Sequence, residues 1–246
     1  MKAQTGQVFE AVLFDLDGVL TPTVDAHKWA WAQLFTAVLP QWPGVLAYTD
    51  RDYALLLDGR PRYEGVTAVL ASRGIDLPYG QPSDGPEQLT VCGLGNRKDA
   101  LFRAQLAHGL LPYPGSLRCL DEVMAAGLSV AVVSGSQNAA AVLAAAGLAS
   151  RFAVVVDGMV AAARGLPGKP APDTYLEAAH RLGAAPARAI VVEDAVSGVQ
   201  AGRAGGFGLV VGVDRGAGHQ ALSEAGANLV VDDLGQLGPK WWEVSE

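Results

Sequence analysis

The stretch AVLFDLDGVLT, residues 11–21, runs from an apolar β-type segment into two carboxylates, Asp15 and Asp17, and then into Gly18. A buried strand whose acidic residues stand only at its end places that end, not its middle, against a ligand or solvent. Side chains alternate along a strand, but beyond its end Gly18 lets the chain turn so that both carboxylates address one point. In an open α/β sheet this edge is where ligands bind. Read alone, the same residues also describe an ordinary surface turn.

Working outward, the next strand-like runs come much later: SVAVVS at 129–134, AVVV at 153–156, AIVVED at 189–194, GLVVGV at 208–213 and NLVV at 228–231. Helical segments near 137–146, 173–182, 195–204 and 218–225 separate them. The alternation predicts βαβ units and an α/β fold, a Rossmann-like parallel sheet flanked by helices. Residues 1–21 and 112–246 are expected to form this core, with 22–111 as an inserted helical domain. In that insertion Trp31, Leu34, Phe35 and Val38 share one face of a helix over 24–39. Further helices are expected near Thr49, over 61–73 with Gly74 closing it, and over 97–107, while PYGQPSDGPEQ at 78–88 reads as loop.

Of the 246 residues 50% are apolar, which is ample for a core, and 18 basic against 25 acidic side chains leave a net charge of −7. The Lys and Arg residues are scattered, which argues against nucleic acid or an anionic membrane as partner. Cys92 and Cys119 form neither a disulfide framework nor a CxxC site and read as small hydrophobes of a reducing compartment. Glu10, Asp15 and Asp17 interrupt the first apolar run, so no signal peptide is read there. Ser134, Ser136, Gln137 and Asn138 interrupt the span from Leu128 to Leu148, which excludes a membrane helix. A soluble, cytoplasmic protein is expected.

Three more features fall at the edge defined by Asp15 and Asp17. SGSQN at 134–138 follows a strand and opens a helix, offering hydroxyls and N–H groups to an anion, or serving only as a helix cap. Lys169 stands in GKPAPD, between Gly168 and Pro170, where it can neutralise a phosphate; a P-loop is excluded because Ala163 and Pro170 replace required residues. VVEDAVSG puts Glu193 and Asp194 at the tip of a strand too apolar to hold them elsewhere. Four strand ends thus present Asp15 and Asp17, Ser134, Lys169, and Glu193 with Asp194 to one crevice. Carboxylates for a hard divalent cation, a cation and hydroxyl for phosphate, and a spare carboxylate as nucleophile read together as phosphoryl transfer.

In the order and spacing of these four motifs the chain resembles the haloacid dehalogenase superfamily of aspartate-nucleophile phosphotransferases. The resemblance implies that Asp15 attacks phosphorus, and that Asp17 protonates the leaving oxygen and later deprotonates the acceptor. It implies Mg2+ on the Asp15 carboxylate, the Asp17 backbone carbonyl and Asp194, with Glu193 assisting directly or through water. Ser134 and Lys169 would hold the transferring oxygens. Dehalogenation is disfavoured, since it has no leaving alkoxide for Asp17 to protonate.

The insertion occupies the position of a helical cap, and its residues are similar to those of the β-phosphoglucomutase branch. His27 and Trp31 in TPTVDAHKWAW, Gly59 and Arg62 in LLDGRPRYEG, and Lys98 in NRKD match cap positions that bind substrate; Ser136 and Asn138 match substrate-side positions of the core. By that resemblance Arg62 grips the distal phosphate of a sugar bisphosphate, and His27 gates Asp17 so that water does not discharge the phosphoenzyme. Each residue has an ordinary reading too: a helix-face histidine, a core tryptophan, solvated cations. Gln137 departs from the branch, where Lys is frequent, and the 78–91 loop is longer, which leaves the sugar open. His108, His180 and His219 are read as structural. Trp241 and Trp242 are expected to pack on the core, or to form a self-association patch; a monomer is the primary expectation. The reaction implied is interconversion of β-glucose 1-phosphate and glucose 6-phosphate through the 1,6-bisphosphate. A sugar-phosphate phosphatase is the alternative, and a catalytically silent relative the third reading.

Overall fold

The computed structural model describes residues 9–57 and 60–243. The chain forms two compact units, one comprising the segment up to Pro22 with the chain from Leu110 onward, the other Thr23–Gly109.

Among the described residues the first unit is built on six strands: β1 (Ala11–Phe14), β2 (Ser129–Val133), β3 (Val154–Val156), β4 (Ala189–Glu193), β5 (Leu209–Val213) and β6 (Leu229–Val231). They pair in parallel in the order β3-β2-β1-β4-β5-β6. β1 and β4, where the strand order reverses direction, are buried along their whole length, because helices cover both faces of a parallel sheet. Ala11, Leu13, Ala131, Val133 and Val191 lie in one apolar cluster with Tyr175, Ala178 and Ala179 of a covering helix. The chain enters at β1, in register with both β2 and β4, so the motif after Phe14 emerges at the sheet's switch point.

The helices of this unit are α5 (Pro114–Ala125), α6 (Ala139–Ala145), α7 (Gly158–Arg164), α8 (Asp173–Leu182), α9 (Val196–Ala204) and α10 (His219–Ala225). Two of them are additions to the sequence reading. Helix α5 starts on Pro114, where the missing N–H costs nothing. Helix α7 has only seven residues; Asp157 accepts from the Val160 N–H at its start and left-handed Gly165 ends it, so flanking glycines conceal it as turn. Of the residues read together as four strand ends, Lys169 comes from a loop just before the helix at 173, as its GKPAPD setting indicates. It lies on the loop between α7 and α8.

The second unit contains α1 (Thr23–Val38), the short α2 (Asp50–Asp52) continued by a π-helical turn over Tyr53–Leu57, α3 (Arg62–Ala71) and α4 (Val91–Leu106). Trp31, Leu34, Phe35 and Val38 of α1 are buried with Val66, Val69 and Leu70 of α3 and Leu94 of α4. Helix α4 begins six residues before the expected 97, with the Thr90 hydroxyl accepting from Gly93 N–H. Its first turns contain Gly93 and Gly95, poor helix formers, required here by close packing. A β-carbon would stand 2.3 Å from the Gln88 carbonyl at Gly93 and 2.6 Å from the Tyr63 ring at Gly95. The loop before α4 is tied down: Thr90 Oγ1 donates to Asp84 at 2.6 Å, and Asn96 Nδ2 donates to the Pro82 and Asp84 carbonyls at 3.0 and 2.8 Å. Cys92 and Cys119 are buried thiols without a disulfide. Trp242 is buried and meets Trp241 edge-on, centroids 5.7 Å apart. Among the described residues no helix is long and apolar enough to cross a membrane.

Candidate active site

Asp15 is the first residue beyond β1, and its N–H donates to the Val192 carbonyl at 2.9 Å, so sheet pairing extends to the acid itself. Ser134 is the first residue beyond β2, and its N–H donates to Val156 O at 3.0 Å. Glu193 closes β4. These three are buried, with Glu193 only 1% exposed.

Lys169 Nζ joins them from the α7–α8 loop, 2.5 Å from Asp15 Oδ1, 2.5 Å from Glu193 Oε1, and 3.2 Å from the Val133 carbonyl. Asp17 Oδ2 accepts from Ser134 Oγ at 3.2 Å. The two carboxylates of the motif thus have different partners: Asp15 an ammonium, Asp17 a hydroxyl. Ser134 Oγ also accepts from the Ser136 N–H at 3.0 Å, and Ser136 Oγ from the Asn138 N–H at 3.1 Å, which winds SGSQN into the turn that opens α6.

Two glycines serve as seats for the acids at the end of β4. A β-carbon on Gly18 would lie 2.0 Å from Asp194 Oδ2, and one on Gly198 would lie 1.7 Å from Glu193 Oε1. Tyr175, fully buried on α8, donates to Glu193 Oε1 at 3.1 Å, while the Ala195 N–H donates to Oε2 at 2.9 Å. Tyr175 and Gly198 escaped the sequence reading. The available signal for Tyr175 is a hydroxyl in register with Ala178, Ala179 and Leu182 on one helix face, since a buried phenol needs a partner.

The electrostatics follow from crowding. Burial pushes the Asp15 carboxyl up to about 8; Lys169 opposes the rise, and the Glu193 and Asp17 carboxylates add to it. Asp194 is raised well above the usual carboxylate range by burial and then by Glu193 and Asp15. Burial works against the Lys169 ammonium, but Asp15 and Glu193 outweigh it and hold its pKa well above the ordinary lysine value. One ammonium therefore serves several buried carboxylates. Hard oxygen donors short of positive charge, with Asp194 seated in the Gly18 cradle beside the Asp17 backbone, fit a Mg2+ ion.

The cap-position residues cluster within the second unit. Lys98 is buried on α4 with Nζ 2.6 Å from His27 Nδ1, 5.1 Å from the Trp31 ring centroid and 4.9 Å from that of Phe102. His27 stacks on Phe102 at 4.1 Å, and burial, aided by the Lys98 charge, holds its pKa well below the usual histidine value. The imidazole is neutral and accepts from Lys98 at Nδ1, so Nε2 carries the proton. Arg62 pairs with Asp99 at 2.9 Å and lies over the Tyr63 ring at 4.9 Å. Gly59 lies outside the described residues. His219, read from sequence as structural, has a partner the sequence did not reveal: Nε2 stands 2.7 Å from Asp232 Oδ1.

Comparison with known proteins adds four findings. A family model described as haloacid dehalogenase-like hydrolase matches residues 9–206. Among curated relatives, a β-phosphoglucomutase of Mycobacterium tuberculosis is 46% identical over 237 residues, covering 92% of this chain and 90% of that protein. The fructose-1-phosphate phosphatase YqaB of Escherichia coli is 30% identical over 207 residues, covering 82% and 95%. Among solved structures, a β-phosphoglucomutase from Clostridium difficile superposes with a TM-score of 0.75 at 26% identity, covering 96% of each chain.

Proposed function

Because the chain belongs to the haloacid dehalogenase-like hydrolase family, enzymes of phosphoryl transfer, we propose that it is a Mg2+-dependent phosphomutase working through an aspartyl phosphate on Asp15. The proposed reaction interconverts β-glucose 1-phosphate and glucose 6-phosphate through glucose 1,6-bisphosphate. The observation that carries this reading is the division of labour at the strand ends, with Asp15 bonded to Lys169 at 2.5 Å and Asp17 to Ser134 at 3.2 Å. That difference supports Asp15 as the nucleophile and Asp17 as the proton carrier.

In the first half-reaction an Asp15 oxygen forms a bond to phosphorus while the bond to the leaving oxygen breaks, and Asp17 gives that oxygen its proton. In the second, a sugar hydroxyl loses its proton to Asp17 and attacks phosphorus, releasing Asp15. Lys169, Ser134 and the N–H groups of the turn before α6 hold the equatorial oxygens as charge moves between them. Asp15, the Asp17 carbonyl and Asp194, with Glu193 in support, would hold Mg2+. When bound, the ion neutralises phosphate charge at the site of attack.

A mutase also needs a second anion site and protection from water. Arg62, Lys98, Gly59, Ser136 and Asn138 are proposed to bind the sugar phosphate, with His27 and Trp31 on the first cap helix. The fork of Arg62, paired with Asp99 at 2.9 Å, suits a distal phosphate. The second reading is a phosphatase, in which water replaces the sugar hydroxyl; the 30% identity to a fructose-1-phosphate phosphatase favours it. A cytoplasmic monomer completes the proposal.

The test is incubation with Mg2+ and β-glucose 1-phosphate, with and without glucose 1,6-bisphosphate, measuring glucose 6-phosphate against free phosphate. Bisphosphate-dependent isomerisation abolished by EDTA and by Asp15→Asn is expected. Steady phosphate release without isomerisation would establish the phosphatase instead, and no turnover of either kind would leave the silent relative.

A further inference from the structure

Arg215 stands two residues beyond the end of β5, after Asp214, and its side chain reaches the turn that carries Asp17. Its Nε donates to the Gly18 carbonyl at 3.0 Å, Nη1 to the Asp232 carbonyl at 2.9 Å, and Nη2 to the Asp233 carboxylate at 3.3 Å. The guanidinium lies 3.9 Å from the centroid of the Tyr113 ring. The next two carbonyls of the turn are held as well: Val19 O accepts from Ser116 Oγ at 2.6 Å, and Leu20 O from the Tyr113 N–H at 3.1 Å.

These bonds bracket the freest α-carbon of the motif. Gly18 has φ +91°, and a glycine rotates about its backbone bonds at little cost. On its N-terminal side, Gly18 N–H donates to Thr21 O at 2.8 Å. In a trans peptide the N–H and C=O point in opposite directions, so that bond also aims the Asp17 carbonyl away from the turn. It is internal to the turn, however, and ties the turn to nothing else. On the C-terminal side Arg215 holds the Gly18 carbonyl from the loop after β5, with Asp232 and Asp233 beyond β6 anchoring the guanidinium. A swing of the Asp17 carbonyl breaks the Gly18 N–H bond to Thr21 O unless the whole turn moves with it, and Arg215 opposes that movement through the Gly18 carbonyl. The face of Gly18 on which Asp194 is seated is fixed by the same restraint.

We infer that Arg215 is a positioning residue for phosphoryl transfer, acting through the Gly18 carbonyl to hold the Asp17 carbonyl and the Asp194 carboxylate in register. Three diverging donors and a planar face meet this geometry, whereas a lysine ammonium supplies a single point charge and no stacking plane. The inference rests on the Mg2+-dependent reading above.

The test compares wild type, Arg215→Ala and Arg215→Lys by three measurements: hydrogen exchange of peptides covering residues 16–22 in metal-free protein, Mg2+ affinity by calorimetry, and steady-state hydrolysis of p-nitrophenyl phosphate. Arg215→Ala is expected to speed exchange in 16–22 by about tenfold while β2 and β4 keep their protection. It should weaken Mg2+ binding by about fivefold and lower kcat by about 10- to 100-fold, with KM changed less than about twofold. Arg215→Lys, which keeps one donor, should fall between, and it carries the comparison if the alanine variant does not fold. Unchanged exchange and Mg2+ affinity in the variants would overturn the inference. So would a loss of activity that merely tracks the folded fraction. If wild type neither binds Mg2+ nor cleaves the ester, yet the variants loosen 16–22, the functional reading fails and the restraint on the turn stands.

Discussion

Gly18 and Asp194 compete for one volume: the Asp194 carboxylate rests where a side chain on Gly18 would begin, 2.0 Å from the position of its β-carbon. Two residues far apart in sequence thus make one corner of the candidate active site, where only a glycine leaves room for the carboxylate. Gly18→Ala must displace Asp194 and also hold an L-residue at φ +91°. It should cost about 1–3 kcal/mol of stability and lower kcat by about 100-fold or more. Urea unfolding and steady-state kinetics check both. A variant with full activity would show that Asp194 needs no such seat.

Tyr175→Phe removes a single oxygen from a fully buried side chain. Glu193 keeps Lys169 and the Ala195 N–H but loses the donor at 3.1 Å. A hydrogen bond to a charged acceptor contributes about 1.5–3 kcal/mol; with the other donors remaining, a loss of about 1–2 kcal/mol is expected, with kcat reduced less than about tenfold. Equal urea midpoints for the two proteins would remove Tyr175 from the account of the site.

Asp52 and Arg73 make a forked pair in the second unit, Nη1 to Oδ1 at 2.8 Å and Nη2 to Oδ2 at 2.7 Å. The Arg73 bond holds the Asp52 pKa below its ordinary value against a smaller effect of burial, and the Thr49 N–H assists. A depressed carboxylate pKa stabilises the fold above the unfolded pKa, and that stabilisation is lost as pH falls through the folded value. Asp52→Asn should therefore cost about 1 kcal/mol at pH 7, a value discounted for partial solvent screening. The difference from wild type should shrink below about pH 4. Thermal melts from pH 3 to 7 test this, and a pH-independent difference would show that the charge is not responsible.

His27→Ala removes a neutral imidazole that accepts from Lys98 at 2.6 Å and stacks on Phe102. If His27 governs when Asp17 acts as base, the variant should raise phosphate release relative to sugar-phosphate isomerisation by about tenfold. Burst kinetics of phosphoenzyme discharge measure that ratio directly. A proportional fall of both rates would leave His27 a packing residue.

The residues from Ala11 to Gly18 declare the fold in one dimension, because hydrophobic periodicity and the cost of burying an unpaired carboxylate are local properties. Strand β1, the acids at its tip, the parallel α/β layering and the helical insertion were legible for that reason. Glu193 and Asp194 were legible at the end of β4 on the same ground. What the chain could not disclose in one dimension are relationships that depend on the path between elements. Lys169 meets Asp15 across 154 residues, and it does so from a loop placed by α7, a helix hidden between two glycines. The Tyr175 hydroxyl beneath Glu193, the Gly198 seat and the grip of Arg215 on Gly18 belong to the same class. Each requires two surfaces to close to hydrogen-bond or van der Waals distance, and such distances are set by the packing of the whole sheet and its helices, with no counterpart in residue spacing.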